Sequence, residues 1–268
     1  MEVQTMPTMG AATQATTKAI NSIYLSMLYQ MGGELYNEAG TKALTDSPEG
    51  IAAFEQWTDF YTKHSFPVSM NFVTRFRLGQ VPLAIVNFTN YTTLSVSAPE
   101  IRGDWAIAPI PGTRMDDGSI RRELPAVTSA AMMIKPMVEK HGTTEAAWAF
   151  LKWWVSQETQ TAYAVEMESL LGSSARYPVA NLESFKSSPW DVQSMDVLIK
   201  SLDDLREIRQ VPGSYITGRN IENAFYEVVN EPEDANPRRT LVEWTENTNY
   251  EILSKRKEFG LFVEEGEE

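Results

Sequence analysis

Side chains that carry out covalent chemistry are scarce in this sequence. Its 268 residues include no cysteine and only two histidines, His64 and His141. Without cysteine there is no thiolate nucleophile, disulfide or cysteine-bound metal site. Both histidines stand at predicted helix ends or turns, where we interpret them as surface or capping residues. Motifs for zinc proteases, serine hydrolases, P-loops and dinucleotide binding are lacking as well. We therefore expect no cofactor, no metal site and no nucleophilic enzyme.

Acidic residues leave one catalytic alternative open. Glu166 and Glu168 form one nearby pair, and Asp203 and Asp204 form another. Hydrolysis of a glycosidic bond needs two carboxyl groups that face each other across a cleft at roughly 5–10 Å. Neighbours one or two positions apart on a helix point in different directions. We interpret both pairs as solvated surface, and a carbohydrate-active enzyme stays as an alternative.

Aromatic side chains indicate a different kind of site. The chain has 7 Trp, 10 Tyr and 11 Phe, and aromatic rings are suitable platforms for the flat C–H faces of sugars. The rings at helical spacing are predicted to lie in the core, and these are Trp57, Trp148, Trp154 and Trp244. The rings at predicted strand ends or loops are better candidates for ligand contact, and these are Tyr91, Trp105 and Tyr215.

Composition and charge exclude several classes of partner. Hydrophobic residues make up 43% and charged residues 22%, as in ordinary globular proteins. The net charge of −13 disfavours nucleic acid and anionic membranes, which bind basic surfaces. No stretch approaches the roughly 20 apolar residues of a membrane span. The first ten residues do not resemble a signal peptide, so we expect either a cytoplasmic protein or an exported one whose signal is not in this sequence.

Helices dominate the predicted elements. Periodicity and capping signals predict helices over residues 11–31, 47–65, 72–78, 143–154, 156–171, 192–208, 219–229 and from 236 onward. A small hairpin is predicted at 34–44, a loop at 112–121, and strands at 82–87, 104–109 and 127–134. This order predicts an α/β domain whose sheet is covered on both faces. A helical interaction or scaffold protein is the alternative, and a missing strand at 82–87 would favour it.

Several motifs, taken in order, resemble carbohydrate-type extracellular solute-binding proteins of ABC importers, within the maltose-binding-protein-like superfamily. The first is LYQMGGELY at 28–36, followed by GTK at 40–42 and DSPE at 46–49. The next are FRLGQVPLAI at 76–85 and DWAIAPIPG at 104–112. Paired helices at 146–160 are similar to those of the same family, and the ending at 249–260 is similar to that of its long lipoprotein members. The resemblance spans residues 15–261.

The resemblance implies a periplasmic-binding-protein-like type II lobe, rich in helices around a small central mixed sheet. Residues 1–125 and 187–268 would form most of the second lobe, and residues 126–186 would cross over to the first lobe. Relatives are longer and carry a signal peptide and a first lobe ahead of the Gly-Gly hairpin. The sequence is therefore expected to be a partial chain, with most of the first lobe missing.

The implied function is binding of a sugar or oligosaccharide for import, without enzymatic activity. The partners would be a carbohydrate and ABC permease subunits, and the full-length protein would be an extracellular lipoprotein whose signal and anchor lie outside this chain. Polar groups past a strand end, and others placed by family position, are the expected ligand contacts. They are Asn87, Thr89, Asn90, Tyr91, Tyr24, Thr128, Ser129, Arg176 and Tyr215. Since a lobe without its partner exposes apolar surface, self-association of the chain is also expected.

Overall fold

A computed structural model describes residues 17–87, 89–126, 130–176, 179–188 and 191–261 of the chain. The chain divides into two compact units. Unit 1 comprises Met1–Val86, Pro109–Val127 and Leu202–Glu268, and unit 2 comprises Asn87–Ala108 and Thr128–Ser201. Which lobe of a longer fold each segment belongs to stays a prediction.

Helices account for most of the described structure, as the sequence predicts. In chain order they are α1 (Thr17–Gln30), α2 (Pro48–Thr62), α3 (Phe72–Arg77), α4 (Thr89–Ser97), α5 (Lys135–Lys140), α6 (Thr144–Trp154), α7 (Gln157–Leu171), α8 (Leu182–Lys186), α9 (Val192–Leu202), α10 (Tyr215–Asn230) and α11 (Pro237–Glu258). Short 3-10 turns cover Pro99–Ile101 and Ser173–Ala175.

The start of α2 follows from its predicted capping sequence. The Ser47 hydroxyl accepts a hydrogen bond from the Gly50 amide at 3.0 Å, and proline occupies the first helical position, where no amide partner is needed. Glu49 lies in the first turn, where the helix dipole favours a negative charge. The predicted buried stripe is confirmed, because Ile51, Phe54, Trp57, Thr58 and Tyr61 are all buried.

Two small sheets lie in unit 1. Strands β1 (Thr113–Arg114) and β2 (Ile120–Arg121) pair antiparallel, with Thr113 opposite Arg121. Strands β3 (Leu124–Ala126) and β4 (Leu205–Glu207) pair in parallel, with Leu124 opposite Leu205. The predicted hairpin at 34–44 is reduced to one antiparallel bridge, between Tyr36 and Ala43. The fold is thus helix-rich with small sheets, as predicted, although the strands lie elsewhere than expected.

The three long strand predictions are wrong in the described residues. Residues 82–87, 104–109 and 130–134 form no strand, and 127–129 lie outside the described part. Leu83 in the first segment is 64% exposed. Apolar periodicity marks a segment that can form a strand, but a strand exists only where a neighbouring strand pairs with its backbone. The predicted loop at 112–121 instead forms the β1–β2 hairpin, and the predicted helix 192–208 ends at Leu202 before β4.

The hydrophobic core of unit 1 is built on aromatic rings. Trp57 of α2 stacks on Phe225 of α10, with ring centroids 4.2 Å apart. Tyr24 of α1 and Phe54 of α2 meet Trp57 at 6.0 and 5.9 Å. Helix α11 adds the fully buried Leu241 and Ile252. These contacts join α1, α2, α10 and α11 into one helical layer, and α1 also packs against β3.

Unit 2 has little apolar core of its own. Among its described residues the buried hydrophobic side chains are Leu94, Ala98 and Val179. Helix α6 buries no residue at all. Trp148 is 53% exposed, so the prediction that it is a core residue is wrong, and the neighbouring Phe150 is 56% exposed. The helix has the composition of a core helix, but the described residues of unit 2 leave these rings half exposed.

Candidate functional site

A cavity of about 510 Å³ lies within unit 2. Four stretches of chain form its wall: α4, the turn at 102–106, the 3-10 turn at 173–175 with the residue after it, and the beginning of α9. The side chains of most chemical interest are Tyr91, Trp105, Arg102, Arg176, Asp191 and Ser194. The cavity therefore combines two aromatic rings, two guanidinium groups and one carboxylate.

The aromatic wall consists of Tyr91 and Trp105. Their ring centroids lie 5.3 Å apart at an interplanar angle of 69°, which is an edge-to-face contact. Both rings are partly exposed to solvent. Each ring restricts the orientation of the other. Part of each ring also stays exposed, and a solute can contact it there.

Asp191 is held between two donors. The Tyr91 hydroxyl donates to Asp191 Oδ2 at 2.8 Å, and the Ser194 amide donates to Asp191 Oδ1 at 2.9 Å, as at a helix N-terminus. The hydrogen bonds from Ser194, followed by that from Tyr91, hold the pKa of Asp191 below its usual range. Burial, reinforced by Asp191, raises the pKa of Tyr91. At neutral pH the site therefore holds a carboxylate and a neutral phenol.

Arg176 is fixed by a two-point ion pair. Its Nε donates to Glu168 Oε2 at 3.1 Å and its Nη2 donates to Glu168 Oε1 at 2.8 Å. The Arg176 side chain is only 15% exposed. Hydrogen bonds from Arg176 lower the pKa of Glu168, and the same contact raises the pKa of the guanidinium. Such a bidentate pair sets the plane of the guanidinium before any ligand arrives.

Arg102 brings a second guanidinium to the cavity. Its Nη2 donates to the Ser95 carbonyl of α4 at 3.4 Å. The positive charge of Arg176 is balanced by Glu168, and that of Arg102 by Asp191 in the same cavity. The net charge of the lining is therefore close to zero. Ring surface, a carboxylate acceptor and guanidinium donors together suit a neutral polyhydroxy solute. Its hydroxyl groups can both donate and accept hydrogen bonds.

The described residues offer no alternative metal chemistry. No cluster of His, Asp and Glu among them could hold a metal ion. Within the same residues, no helix has the length and apolar character needed to cross a bilayer. Glu168 of the suspected carboxylate pair is engaged by Arg176.

The structure brings together two of the nine predicted ligand contacts, Tyr91 and Arg176. Thr89 and Asn90 open α4 and Asn87 lies two residues before it, and none of the three lines the cavity. Asn90 is buried, and its Nδ2 donates to the Asn87 carbonyl at 3.1 Å. This amide closes the first turn of α4.

Two other predicted contacts lie in unit 1. Tyr24 is fully enclosed in the core and presents no surface to a ligand. Tyr215 opens α10, is mostly exposed, and donates its hydroxyl to Glu251 of α11. Thr128 and Ser129 lie outside the described residues.

Sequence reasoning missed Asp191, Arg102 and Ser194 as site residues. Asp191 stands directly before a predicted helix and three positions before Ser194, which is a capping signal. A cap explains the hydrogen bond to Ser194, but nothing local to Asp191 indicates that Tyr91, 100 residues earlier, donates to its other oxygen.

The fold is shared with known solute-binding proteins. An ABC transporter solute-binding protein from Thermotoga lettingae, solved with alpha-D-tagatose, matches 92% of this chain with a TM-score of 0.64 at 18% identity. The sugar-binding protein MalE from Xanthomonas citri matches 96% with a TM-score of 0.67 at 14% identity. A cyclic alpha-maltosyl-1,6-maltose binding protein from Arthrobacter globiformis matches 94% with a TM-score of 0.64 at 14% identity.

The matches cover only part of each relative. The chain spans 60%, 62% and 61% of the length of these three proteins. No curated protein gives a significant match. The family described as bacterial extracellular solute-binding protein matches residues 2–189, well over half of the chain. The chain therefore belongs to this family, whose members are binding proteins rather than enzymes and act outside the cell.

Proposed function

We propose that this chain is part of an extracellular receptor that binds a neutral sugar or oligosaccharide for import by an ABC transporter. The observation that carries the proposal is the cavity of unit 2, where the Tyr91–Trp105 ring pair lies beside an oriented carboxylate and an oriented guanidinium. Rings without polar groups would suit any apolar ligand. Charges without rings would suit an ion. The combination suits a sugar, which has apolar faces and hydroxyl-bearing edges.

The roles of the side chains follow from their positions. Trp105 supplies the ring face, and Tyr91 orients it and holds Asp191. The Asp191 carboxylate accepts hydrogen bonds from sugar hydroxyls, while Arg176 donates to sugar oxygens. Asn87, Thr89, Asn90, Thr128, Ser129 and Tyr215 stay predictions as ligand contacts, whereas Tyr24 is enclosed in the core of unit 1.

The transport cycle is likewise proposed. A receptor of this fold encloses its solute by hinge closure between two lobes, and the closed form docks on permease subunits. A lipid anchor in the full-length protein would keep the receptor near its permease. These steps rest on the family and on the three-fifths of the relatives' length that this chain spans.

Calorimetry on the full translation product of the reading frame that contains this chain tests the proposal. The probes are maltose, D-tagatose and a series of neutral oligosaccharides. Trp105→Ala removes the ring face and is expected to weaken binding about 10-fold or more, since an aromatic contact contributes roughly 0.5–1.5 kcal/mol beyond its buried area. The double variant Asn87→Ala with Tyr91→Ala is expected to weaken it as well. Tyr250→Ala removes an exposed ring of α11 and serves as the control.

Two results would contradict the site. One is unchanged affinity in Trp105→Ala and in the double variant, with the wild type binding a sugar. The other is an equal loss in Tyr250→Ala. Failure of every neutral saccharide to bind would remove the proposed solute class.

Self-association is a further part of the proposal. Unit 2 leaves large apolar side chains exposed on α6 and α7, including Trp153 and Leu170. Apolar surface of this kind drives association in water. Light scattering on the 268-residue chain is expected to show a mass that rises with concentration. A constant monomer mass would refute this part.

A helical scaffold protein is the second candidate, because residues 82–87 form no strand. The family match and the shared fold favour the receptor. A scaffold would bind a protein but no saccharide, so the calorimetric series separates the two. No observation in the described residues favours the carbohydrate-active enzyme, and release of chromophore from reporter glycosides would be needed to revive it.

A further inference from the structure

One dipeptide of the sequence can react without any catalyst. Asp117-Gly118 is the only place among the 268 residues where aspartate or asparagine precedes glycine. It lies in the connection 115–119 between β1 and β2, where every residue except Met115 is exposed. Gly118 has φ +83°, and a Cβ at this position would meet nothing within 4 Å. The tip of the hairpin is therefore open around Gly118, and no side chain of residue 118 shields its backbone nitrogen.

An aspartate that precedes glycine can rearrange through a five-membered imide. The Gly118 nitrogen attacks Cγ of Asp117, an N–Cγ bond forms, and the amide proton and the carboxyl hydroxyl leave together as water. Water then adds to one of the two ring carbonyls. Addition at the main-chain carbonyl breaks its bond to the Gly118 nitrogen, so the chain continues through Cγ as isoaspartate. Addition at Cγ restores aspartate. Water is lost and regained, so neither the mass nor the oxidation state of the chain changes.

The folded hairpin engages both reacting groups. Asp117 Oδ1 accepts a hydrogen bond from the Ser119 amide at 2.8 Å and another from the Ser119 hydroxyl at 2.6 Å. The Gly118 amide donates to the Met115 carbonyl at 3.0 Å. The N–H that must lose its proton is thus bonded to Met115, and the carboxyl group that must be attacked is held by Ser119.

Ser119 also favours the unreactive form of the carboxyl group. Imide formation needs the neutral acid, because a carboxylate is a poor electrophile. The hydrogen bonds from the Ser119 side chain and amide stabilise the ionised form, and they hold the pKa of Asp117 below its usual range. Asp116 lies on the same exposed tip but precedes Asp117, whose side chain hinders attack by its own nitrogen. Asp116 therefore serves as an internal comparison.

We propose that Asp117 is a site of spontaneous isoaspartate formation, and that the hydrogen bonds made by Ser119 and Met115 in the β1–β2 hairpin restrain the reaction while the chain is folded. The site belongs to the turn chemistry of unit 1. The inference does not depend on which solute the protein binds.

Rearrangement would alter the hairpin locally. It adds one carbon to the main chain of the connection 115–119, whose ends are held by the register that pairs Arg114 with Ile120. We therefore expect the tip to loosen. At the base of the hairpin the Thr113 hydroxyl donates to Gln30 of α1 at 3.2 Å, and this contact does not involve the rearranged segment.

Incubation of the 268-residue chain near neutral pH tests the proposal, once in buffer and once unfolded in guanidinium chloride. Trypsin cleaves after Arg114 and Arg121 and releases residues 115–121. The aspartate and isoaspartate forms of this peptide separate by reversed-phase chromatography, and electron-transfer fragmentation assigns the change to Asp117 or Asp116. We expect isoaspartate at Asp117 to form at least about 10-fold more slowly in the folded chain, the rate equivalent of two engaged hydrogen bonds.

Variants at Ser119 separate the restraint by the hairpin from the intrinsic reactivity of the dipeptide. Ser119→Ala removes the hydroxyl and is expected to speed isoaspartate formation about fivefold in the folded chain, since one hydrogen bond to the carboxylate is lost. The rate in the unfolded chain is expected to stay unchanged. Ser119→Thr keeps a hydroxyl and is the matched control, with a folded rate close to that of the wild type. Asp117→Glu does not close a five-membered ring and is expected to give no product at this position.

Three outcomes overturn the proposal. An unfolded chain that forms no isoaspartate at Asp117 would show that the dipeptide is unreactive. Equal rates in the folded and unfolded wild type would show that the hairpin restrains nothing. Equal folded rates in Ser119→Ala and Ser119→Thr would remove the role of the Ser119 hydroxyl. The wild-type comparison decides the proposal even if a variant fails to fold.

Discussion

The hydroxyl of Tyr24 offers a sharp test of the unit 1 core. Tyr24 is fully enclosed, and its oxygen finds no hydrogen-bond partner among the described residues. Burial, with a contribution from Asp46, raises the pKa of this phenol strongly. A buried hydroxyl without a partner costs roughly 1–3 kcal/mol. Tyr24→Phe removes the oxygen and leaves the ring contacts with Phe54 and Trp57 in place.

We therefore expect Tyr24→Phe to raise the free energy of unfolding by about 1 kcal/mol, the lower end of that range, because the core can relax partly around the hydroxyl. For a unit of this size such a change corresponds to roughly 2–4 °C in melting temperature. The assay is urea unfolding of the 268-residue chain followed by tryptophan fluorescence, since Trp57 lies in the same cluster.

Tyr36→Phe is the matched control, and it is expected to lower the free energy of unfolding rather than raise it. The Tyr36 hydroxyl donates to Thr217 at 2.8 Å, and both residues are buried. Its removal leaves Thr217 without this partner and is expected to cost about 1–2 kcal/mol. A loss of stability in Tyr24→Phe as large as that in Tyr36→Phe would show that the Tyr24 hydroxyl is bonded, and would refute the reasoning. Tyr24→Phe is also expected to leave saccharide affinity unchanged, and a large loss would restore Tyr24 as a ligand contact.

Further predictions concern the titration of Tyr29, the hydrogen bond between Ala43 and Asn249, and the backbone conformation of Gly213. Burial raises the pKa of Tyr29 to about 12 from a usual value of 10.0, so the stability it contributes is complete below pH 10 and is lost as the pH rises towards 12. Tyr29→Phe is expected to flatten that alkaline loss in pH-dependent unfolding curves. Asn249 accepts from the Ala43 amide at 2.7 Å, so Asn249→Ala is expected to lower the unfolding free energy by roughly 1–3 kcal/mol, while the exposed Asn247→Ala stays near zero. Gly213 has φ +84°, and a Cβ there would lie 2.9 Å from the backbone of α11, so Gly213→Ala is expected to cost more than about 2 kcal/mol in the same denaturation assay.

Local signals predicted most of the helices because their causes are local. The Ser47-Pro48-Glu49 start of α2 and the Asn236-Pro237 start of α11 lie where the sequence places them. Each depends on a side chain that bonds an amide within the next few residues. Order and spacing of motifs were also sufficient to predict the family, which the match over residues 2–189 confirms.

Strands were predicted less well because their formation depends on contacts with distant segments of the chain. Residues 82–87 and 104–109 have the composition of buried strands, and β1 to β4 are short segments without such a pattern. Strand formation needs a partner that the segment itself does not encode. The same limit applies to α6, whose rings are typical of a core helix but lie exposed among the described residues of unit 2.

The sequence by itself determined the family, through the order of its motifs. It also determined the helix-rich fold, the caps of α2 and α11 and the buried stripe of α2, since these follow from spacing within one segment. Only the tertiary structure decided that Tyr91, Trp105, Arg176 and Asp191 line one cavity, and that Tyr24 belongs to a core. Tyr91 and Asp191 are 100 residues apart in the sequence, and the Tyr91 hydroxyl donates a hydrogen bond to the Asp191 carboxylate. Such a contact depends on how whole helices pack against one another. The residues next to Tyr91 and Asp191 in the sequence do not indicate it.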